Sequence, residues 1–144
     1  MNRVLIIGIG NTLRRDDGIG VVTVERLNET LHDSGVEILI RQQLTPELAQ
    51  DISEADKVIV IDADQGETPG EVNERRITPM KDQVFTHKLD PATLLACSRE
   101  LYGKCPETFL ITVTGESFDF GDRLSPAAAE ALPEVICRAM RLAH

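Results

Sequence analysis

Aromatic residues are scarce in this sequence, whose 144 residues include four Phe, one Tyr and no Trp. The core must therefore be built from aliphatic side chains, and Val, Ile, Leu and Ala are plentiful. A chain of this length can bury about 68–70% of the surface that its unfolded state exposes, so it needs neither disulfides nor a structural metal to fold. We interpret residues 1–144 as a single domain.

Cysteine motifs, long apolar segments and clustered positive charge are also lacking. The three cysteines, Cys97, Cys105 and Cys137, have no C-x-x-C spacing, so neither a disulfide framework nor a zinc knuckle is indicated. No run of 18 apolar residues occurs, and the first residues are typical of a strand, which predicts a cytoplasmic protein with no membrane attachment. The 15 Lys and Arg against 24 Asp and Glu give a formal net charge of −9, which argues against nucleic-acid binding.

Short aliphatic runs alternate with segments of helical periodicity along the whole chain. Strands are predicted at residues 3–9, 36–40, 57–61 and 108–113, and helices at residues 18–33, 46–55, 91–102 and 126–143. Near-continuous aliphatic runs are typical of strands that are buried on both faces of a parallel sheet. Residues 70–79 are more polar and predict an antiparallel edge strand. The alternation predicts a three-layer α/β/α sandwich with a mostly parallel central sheet of about five strands.

Three of the predicted helices begin with a capping residue followed by proline. These pairs are Thr45-Pro46, Asp90-Pro91 and Ser125-Pro126. Proline suits the first helical position because no backbone N–H donor is needed there, so these pairs predict the three helix starts. Pro133 lies inside the last predicted helix and is expected to kink or divide it.

A loop rich in glycine and acidic residues follows the first predicted strand. Gly8 and Gly10 begin a pattern like the dinucleotide fingerprint, but Leu13 stands at its third glycine position, and the second predicted strand ends without the acid that would bind a ribose. A nucleotide site is therefore disfavoured. The loop also carries Asp16 and Asp17, of which one can cap the next helix at the positive end of its dipole. The other is then left at the carboxyl edge of the sheet, where α/β folds place their sites.

Asp62 and His87 could complete a site at that edge. Asp62 follows a buried strand directly, and a charge there is costly without a hydrogen-bond partner or a metal. His87 precedes a predicted helix, in a loop that can deliver a side chain to a site. Either residue alone is compatible with a structural role. Two carboxylates with an imidazole would suit Ni²⁺ or Zn²⁺ better than Mg²⁺.

No nucleophilic serine or cysteine site is indicated. The G-x-S-x-G motif is absent, and Cys97 lies within a predicted helix. Glu116 and Ser117 follow the last predicted strand, at the end of the sheet where they can line a cleft.

These motifs resemble those of the hydrogenase maturation proteases, endopeptidases that trim the C-terminal extension from the large subunit of nickel–iron hydrogenases. The matching segments are Gly8-x-Gly10-Asn11-x-Leu13-x-x-Asp16-Asp17-Gly18-x-Gly20, Asp62-Ala63, residues 87–91, Gly115-Glu116-Ser117 and Leu124-Ser125-Pro126. The resemblance implies an α/β/α sandwich and a metal-recognising site instead of an activated Ser or Cys.

Residue roles follow from the same resemblance. It implies that Asp17 and Asp62 are catalytic and contact a metal together with a downstream histidine. Ala92 stands where some members carry that histidine, so His87 is the candidate here. The residues expected to line the substrate cleft are Gly10, Asn11, Asp16 and Glu116.

The implied metal is nickel that is already installed in the hydrogenase large-subunit precursor, with zinc or cadmium as surrogates. The precursor is the expected partner, and the chain itself is expected to be a monomer. Two mechanisms stay open: a metal held by Asp17, Asp62 and His87 polarises the scissile carbonyl or activates water, or the metal positions the substrate while a carboxylate acts as general base.

A receiver-like phosphoacceptor signalling domain, with Asp62 as the acceptor, is the alternative from another functional class. Such a domain also has acids after its first strand and an aspartate after its third. Against it, Asp16 and Asp17 come late in the loop, and no lysine follows the last predicted strand to pair with a phosphoryl group.

Overall fold

The structure is a computed structural model that describes residues 2–31, 35–80 and 89–144. Its strands are β1 (Val4–Ile9), β2 (Val36–Arg41), β3 (Lys57–Asp64), β4 (Val72–Ile77) and β5 (Glu107–Thr114), and its helices are α1 (Ile19–Thr30), α2 (Leu48–Ser53), α3 (Pro91–Tyr102) and α4 (Pro126–Ala143). A 3₁₀ turn, Arg15–Gly18, precedes α1. No helix in the described part of the chain is long and apolar enough to cross a membrane.

The strands form one five-stranded sheet in the order β2-β1-β3-β5-β4. All neighbouring pairs are parallel except β4 and β5, which are antiparallel, with Val72 opposite Val113 and Ile77 opposite Thr108. The mostly parallel sheet and its antiparallel polar edge strand are confirmed.

Helices cover both faces of the sheet, as the three-layer prediction requires. Alternate residues of β1 point to opposite faces: Ile6 packs with α1 and α4, whereas Leu5 and Ile7 pack with α2 and α3. Both layers are aliphatic, as the scarcity of aromatic residues predicts. Because helices cover the central strands on both faces of the sheet, most of the side chains of these strands are apolar.

Two of the three predicted helix starts are confirmed. Asp90 and Ser125 each accept a hydrogen bond from a backbone N–H of the first turn, and proline follows each of them. The start at Pro46 is wrong, because α2 begins at Leu48. The Thr45 hydroxyl hydrogen-bonds to the Glu47 carboxylate, and this contact lowers the pKa of Glu47.

Two further sequence expectations are corrected. Pro133 does not divide the last helix, since α4 continues through it over 18 residues. β2 is not buried on both faces, because it forms an edge of the sheet and most of its side chains are partly or fully exposed.

The order of the strands determines where a site can form. The chain leaves β1 to form β2 on one side of it and then returns to form β3 on its other side. The helices that follow β1 and β2 therefore lie on opposite faces, which opens a crevice at the carboxyl ends of β1 and β3. Asp17 lies in the turn that follows β1, and Asp62 lies near the end of β3, so both residues are at the end of the sheet where the crevice opens.

Candidate active site

The glycines of the first loop let it fold tightly over the ends of β1 and β3. Gly10 has a φ of 144°, a backbone angle that residues with a side chain rarely adopt, and a Cβ there would overlap the carbonyl oxygen of Asp17. A Cβ on Gly20 would overlap the carbonyl oxygen of Ile61, the residue before Asp62. The glycine pattern thus serves close backbone packing at the aspartates.

Asp16 is completely buried, with 0% of its surface exposed. Its Oδ2 accepts hydrogen bonds from the Glu116 N–H (2.7 Å), the Ser117 N–H (3.2 Å) and the Ser125 hydroxyl (2.6 Å). Its Oδ1 accepts a fourth from the Ser125 N–H (2.7 Å). These donors lie about 100 residues away in sequence, after β5, so Asp16 joins the β1–α1 loop to the β5–α4 loop.

The hydrogen bonds to Asp16 favour its charged form. Desolvation by burial raises the pKa of Asp16, but the hydrogen bonds from Ser125, Glu116 and Ser117 more than offset it, and the pKa lies below the ordinary value. The expectation that Asp16 lines the substrate cleft is corrected, because a buried carboxylate with four donors is an anchor between loops.

Asp17 lies beside this anchor and is half-buried. Its Oδ2 accepts a hydrogen bond from the Asn11 N–H at 2.8 Å, and the Asn11 side chain in turn accepts one from the Leu13 N–H at 2.9 Å. The cap of α1 is Gly18, with no side-chain hydrogen bond. Neither Asp16 nor Asp17 caps the helix through its side chain, so the capping expectation is wrong.

Asp62 lies near the end of β3, half-buried and opposite Thr112 of β5. Its Oδ1 accepts a hydrogen bond from the Ala63 N–H at 2.8 Å. The 3₁₀ turn that holds Asp16 and Asp17 packs against β3. The structure therefore places Asp17, in the 3₁₀ turn after β1, and Asp62, near the end of β3, at the same edge of the sheet.

The other predicted site residues differ in their surroundings. Gly10 is buried beneath Asp17, Asn11 is half-buried, and Glu116 is exposed. His87 lies outside the described residues. Within residues 2–31, 35–80 and 89–144, no group of three His, Cys, Asp or Glu side chains is arranged to hold a metal ion.

The sequence did not predict that Ser125 contacts the buried Asp16. Ser125 was expected only as the cap of the last helix, and its hydroxyl does accept from the Ala128 N–H at 3.3 Å. The same hydroxyl donates to Asp16, so one side chain both begins α4 and completes the anchor. The Leu124-Ser125-Pro126 segment belongs to the family pattern, and this match is the sequence signal that could have indicated a role for Ser125 at the site.

Comparison with known proteins gives a consistent result. Residues 21–142 match the family model described as hydrogenase maturation protease. The hydrogenase expression/formation protein HupD of Rhodobacter capsulatus is 34% identical over 161 aligned positions, which cover 96% of this chain and 70% of that protein. The HupD protein of Bradyrhizobium diazoefficiens is 31% identical over 136 positions, covering 84% of this chain and 66% of that protein.

Solved structures agree with the sequence relatives. The hydrogenase maturating endopeptidase HybD of E. coli superposes with a TM-score of 0.79 at 28% identity, covering 96% of this chain and 90% of that one. The [NiFe] hydrogenase maturation protease HycI of Thermococcus kodakarensis gives a TM-score of 0.77 at 25% identity, covering 98% and 92%. These matches disfavour the receiver-like alternative. The chain belongs to the hydrogenase maturation protease family and is a peptidase of that family.

Proposed function

We propose that this peptidase removes the C-terminal extension of a nickel–iron hydrogenase large-subunit precursor in the cytoplasm, after nickel has been inserted. Asp17 and Asp62 are the proposed catalytic residues, and His87 is the proposed third contact to the metal. The observation that carries the proposal is the position of Asp17 and Asp62 at the same carboxyl edge of β1 and β3 in a chain of this family.

Nickel enters this proposal as part of the substrate. Asp17 and Asp62 offer carboxylate oxygens, and an ionised carboxylate has about four lone-pair sites. Both residues are half-buried, so each is partly accessible and partly shielded from water. An imidazole such as that of His87, or ligands of the precursor itself, would complete a donor set suited to a borderline metal.

Metal in this position would supply Lewis acidity at the scissile carbonyl or orient the peptide. The chain itself would contribute a carboxylate as general base toward the attacking water. The Asn11 N–H holds Oδ2 of Asp17, which fixes the direction of this carboxylate. The buried Asp16 anchor holds the surrounding loop, so that Asp17 is presented without a large ordering cost when substrate binds.

Cleavage of a purified precursor, followed by intact-mass spectrometry, tests the proposal. The wild-type chain should shorten the nickel-loaded precursor at its C-terminus and leave the nickel-free precursor intact. Asp17→Asn and Asp62→Asn should each lower the cleavage rate by about 10²-fold or more, the scale expected when a general base or metal-contacting group is lost.

Glu54→Gln is the matched control, because it also replaces a carboxylate with an amide, at an exposed residue between α2 and the amino end of β3, at the opposite end of the sheet. It should cleave at the wild-type rate. Thermal unfolding of each variant establishes that it is folded. Full activity of Asp17→Asn or Asp62→Asn would refute the assigned roles, and an uncut nickel-loaded precursor would refute the proposed reaction.

A further inference from the structure

Three of the five large apolar side chains exposed in the described part of the chain lie at the carboxyl edge of the sheet or in the loops there. The large apolar residues exposed in the described part of the chain are Leu13, Ile40, Leu101, Tyr102 and Phe120. Leu13 and Phe120 lie on the two loops that Asp16 joins. Ile40 lies near the carboxyl end of β2, at the same edge of the sheet.

Leu13 and Phe120 are neighbours, although they are far apart in sequence. The Gly121 N–H donates to the Leu13 carbonyl at 2.8 Å, and the Arg15 N–H donates to the Gly121 carbonyl at 2.9 Å. Phe120 is 86% exposed and Leu13 is 53% exposed. We call these two side chains the Leu13–Phe120 patch.

The backbone that carries this patch is held firmly. The residues on both sides of Phe120 bond to the first loop, since the Arg14 side chain donates to the Phe118 carbonyl at 3.2 Å while Gly121 bonds to Leu13 and Arg15. Arg15 keeps a φ of 45° within these contacts, a conformation that non-glycine residues hold only when their surroundings impose it. Phe120 is therefore displayed by an ordered loop.

The patch is continuous with the candidate active site. Leu13 donates its N–H to the side chain of Asn11, and Asn11 donates its N–H to the carboxylate of Asp17. Leu13 is thus linked to Asp17 through two successive hydrogen bonds, and the apolar surface lies beside the candidate active site.

Charge around the patch does not select a partner of either sign. Seven charged residues at partly or fully exposed positions lie in the two loops that carry it: Arg14, Arg15, Arg123, Asp17, Glu116, Asp119 and Asp122. Three are basic and four are acidic, so this region is close to balanced in a chain whose net charge is −9. What distinguishes the surface is its apolar side chains, and a complementary partner must offer apolar side chains as well.

We propose that the Leu13–Phe120 patch docks an apolar segment of the precursor polypeptide next to the bond that is cleaved. This inference rests on the proposed function. Phe120 is the main anchor, because aromatic side chains often dominate binding at interfaces. The patch would act mainly in substrate binding, since its side chains carry no group that takes part in the reaction.

Steady-state cleavage of the nickel-loaded precursor tests the docking role. Phe120→Ala should raise KM by roughly tenfold or more, and Leu13→Ala by a smaller factor, with kcat unchanged at saturating precursor. The matched control is Leu101→Ala, which removes an apolar side chain of 70% exposure from the last turn of α3, just before the connection to the amino end of β5. All three residues are exposed, so the variants should unfold at the wild-type temperature.

Binding of the precursor separates this inference from the proposed reaction. The Kd of the precursor is measured for the Asp62→Asn chain, with and without Phe120→Ala. Asp62→Asn is used because it suppresses cleavage during the measurement. If the wild-type chain does not cut the precursor, the proposed reaction fails, whereas a Kd that is roughly tenfold weaker with Phe120→Ala still supports docking. A KM and Kd within about twofold of the parent chain, or an equal effect of Leu101→Ala, would overturn the docking role. Self-association that is lost in Phe120→Ala with no change in precursor binding would overturn it too.

Discussion

Asp16→Asn is the substitution with the most clearly defined structural consequence. Asp16 is fully buried and accepts four hydrogen bonds. The substitution preserves the size of the side chain but replaces one acceptor oxygen with an NH₂ donor. If the amide oxygen stays at the Oδ2 position, the new NH₂ group faces the Ser125 N–H, which is also a donor.

The expected loss of stability follows from those contacts. A buried N–H left without an acceptor costs about 1–3 kcal/mol. The remaining hydrogen bonds also weaken because their acceptor is no longer charged. We therefore expect the free energy of unfolding at pH 7 to fall by about 2–4 kcal/mol, a large part of the 5–15 kcal/mol typical of a domain.

Urea unfolding followed by circular dichroism measures this difference. Asp122→Asn is the control, and as a surface substitution it should change the free energy of unfolding by less than about 0.5 kcal/mol. A loss of less than about 1 kcal/mol for Asp16→Asn at pH 7 would contradict the anchoring role that the hydrogen bonds imply.

The difference in the free energy of unfolding between the wild-type chain and Asp16→Asn is also predicted to depend on pH. Desolvation raises the pKa of Asp16, but hydrogen bonds led by those from Ser125 lower it below the reference value of 3.8 in the folded chain. A lowered folded pKa contributes stability above the unfolded pKa, and this contribution is lost as the pH falls through the folded pKa. The difference between wild type and Asp16→Asn should therefore be full at pH 7 and shrink below about pH 4. A difference that grows on acidification would show that the pKa is shifted the other way.

Three further substitutions test other parts of the structure. Gly10→Ala should destabilise the chain by more than about 3 kcal/mol in thermal unfolding, because its Cβ would overlap the Asp17 carbonyl at a φ of 144°, and near-wild-type stability would refute this packing. Ser125→Ala should cost about 2–4 kcal/mol in urea unfolding, since it removes both a helix cap and a bond to a buried carboxylate, and a loss no larger than that of an ordinary exposed cap would contradict its double role. Glu74→Gln weakens partly exposed ion pairs with Arg138 and Arg141 of α4 and should change stability by less than about 1 kcal/mol, so a larger loss would indicate a role that the contacts do not explain.

Local features of the structure were predictable because short-range interactions encode them. Asp90 and Ser125 begin their helices as expected, since a capping oxygen followed by proline acts within one turn. The helix start predicted at Thr45-Pro46 is wrong for an equally local reason, which the capping pattern does not include. Thr45 has a competing partner in Glu47, two residues further along the chain.

The sequence by itself determined the aliphatic parallel sheet, the family pattern and the aspartates at its strand ends, because hydrophobic periodicity and spacing are properties of neighbouring residues. Only the tertiary structure distinguished Asp16 from Asp17. The two are chemically identical and adjacent, yet Asp16 is buried under donors from a loop about 100 residues away, while Asp17 is half-buried and accepts a hydrogen bond from Asn11 of its own loop. The strand order β2-β1-β3-β5-β4 creates the crevice at the carboxyl ends of β1 and β3, and it depends on which strands pair across long loops. Such pairings reflect the packing of the whole chain, so the different tasks of two neighbouring carboxylates could not be inferred from their immediate sequence.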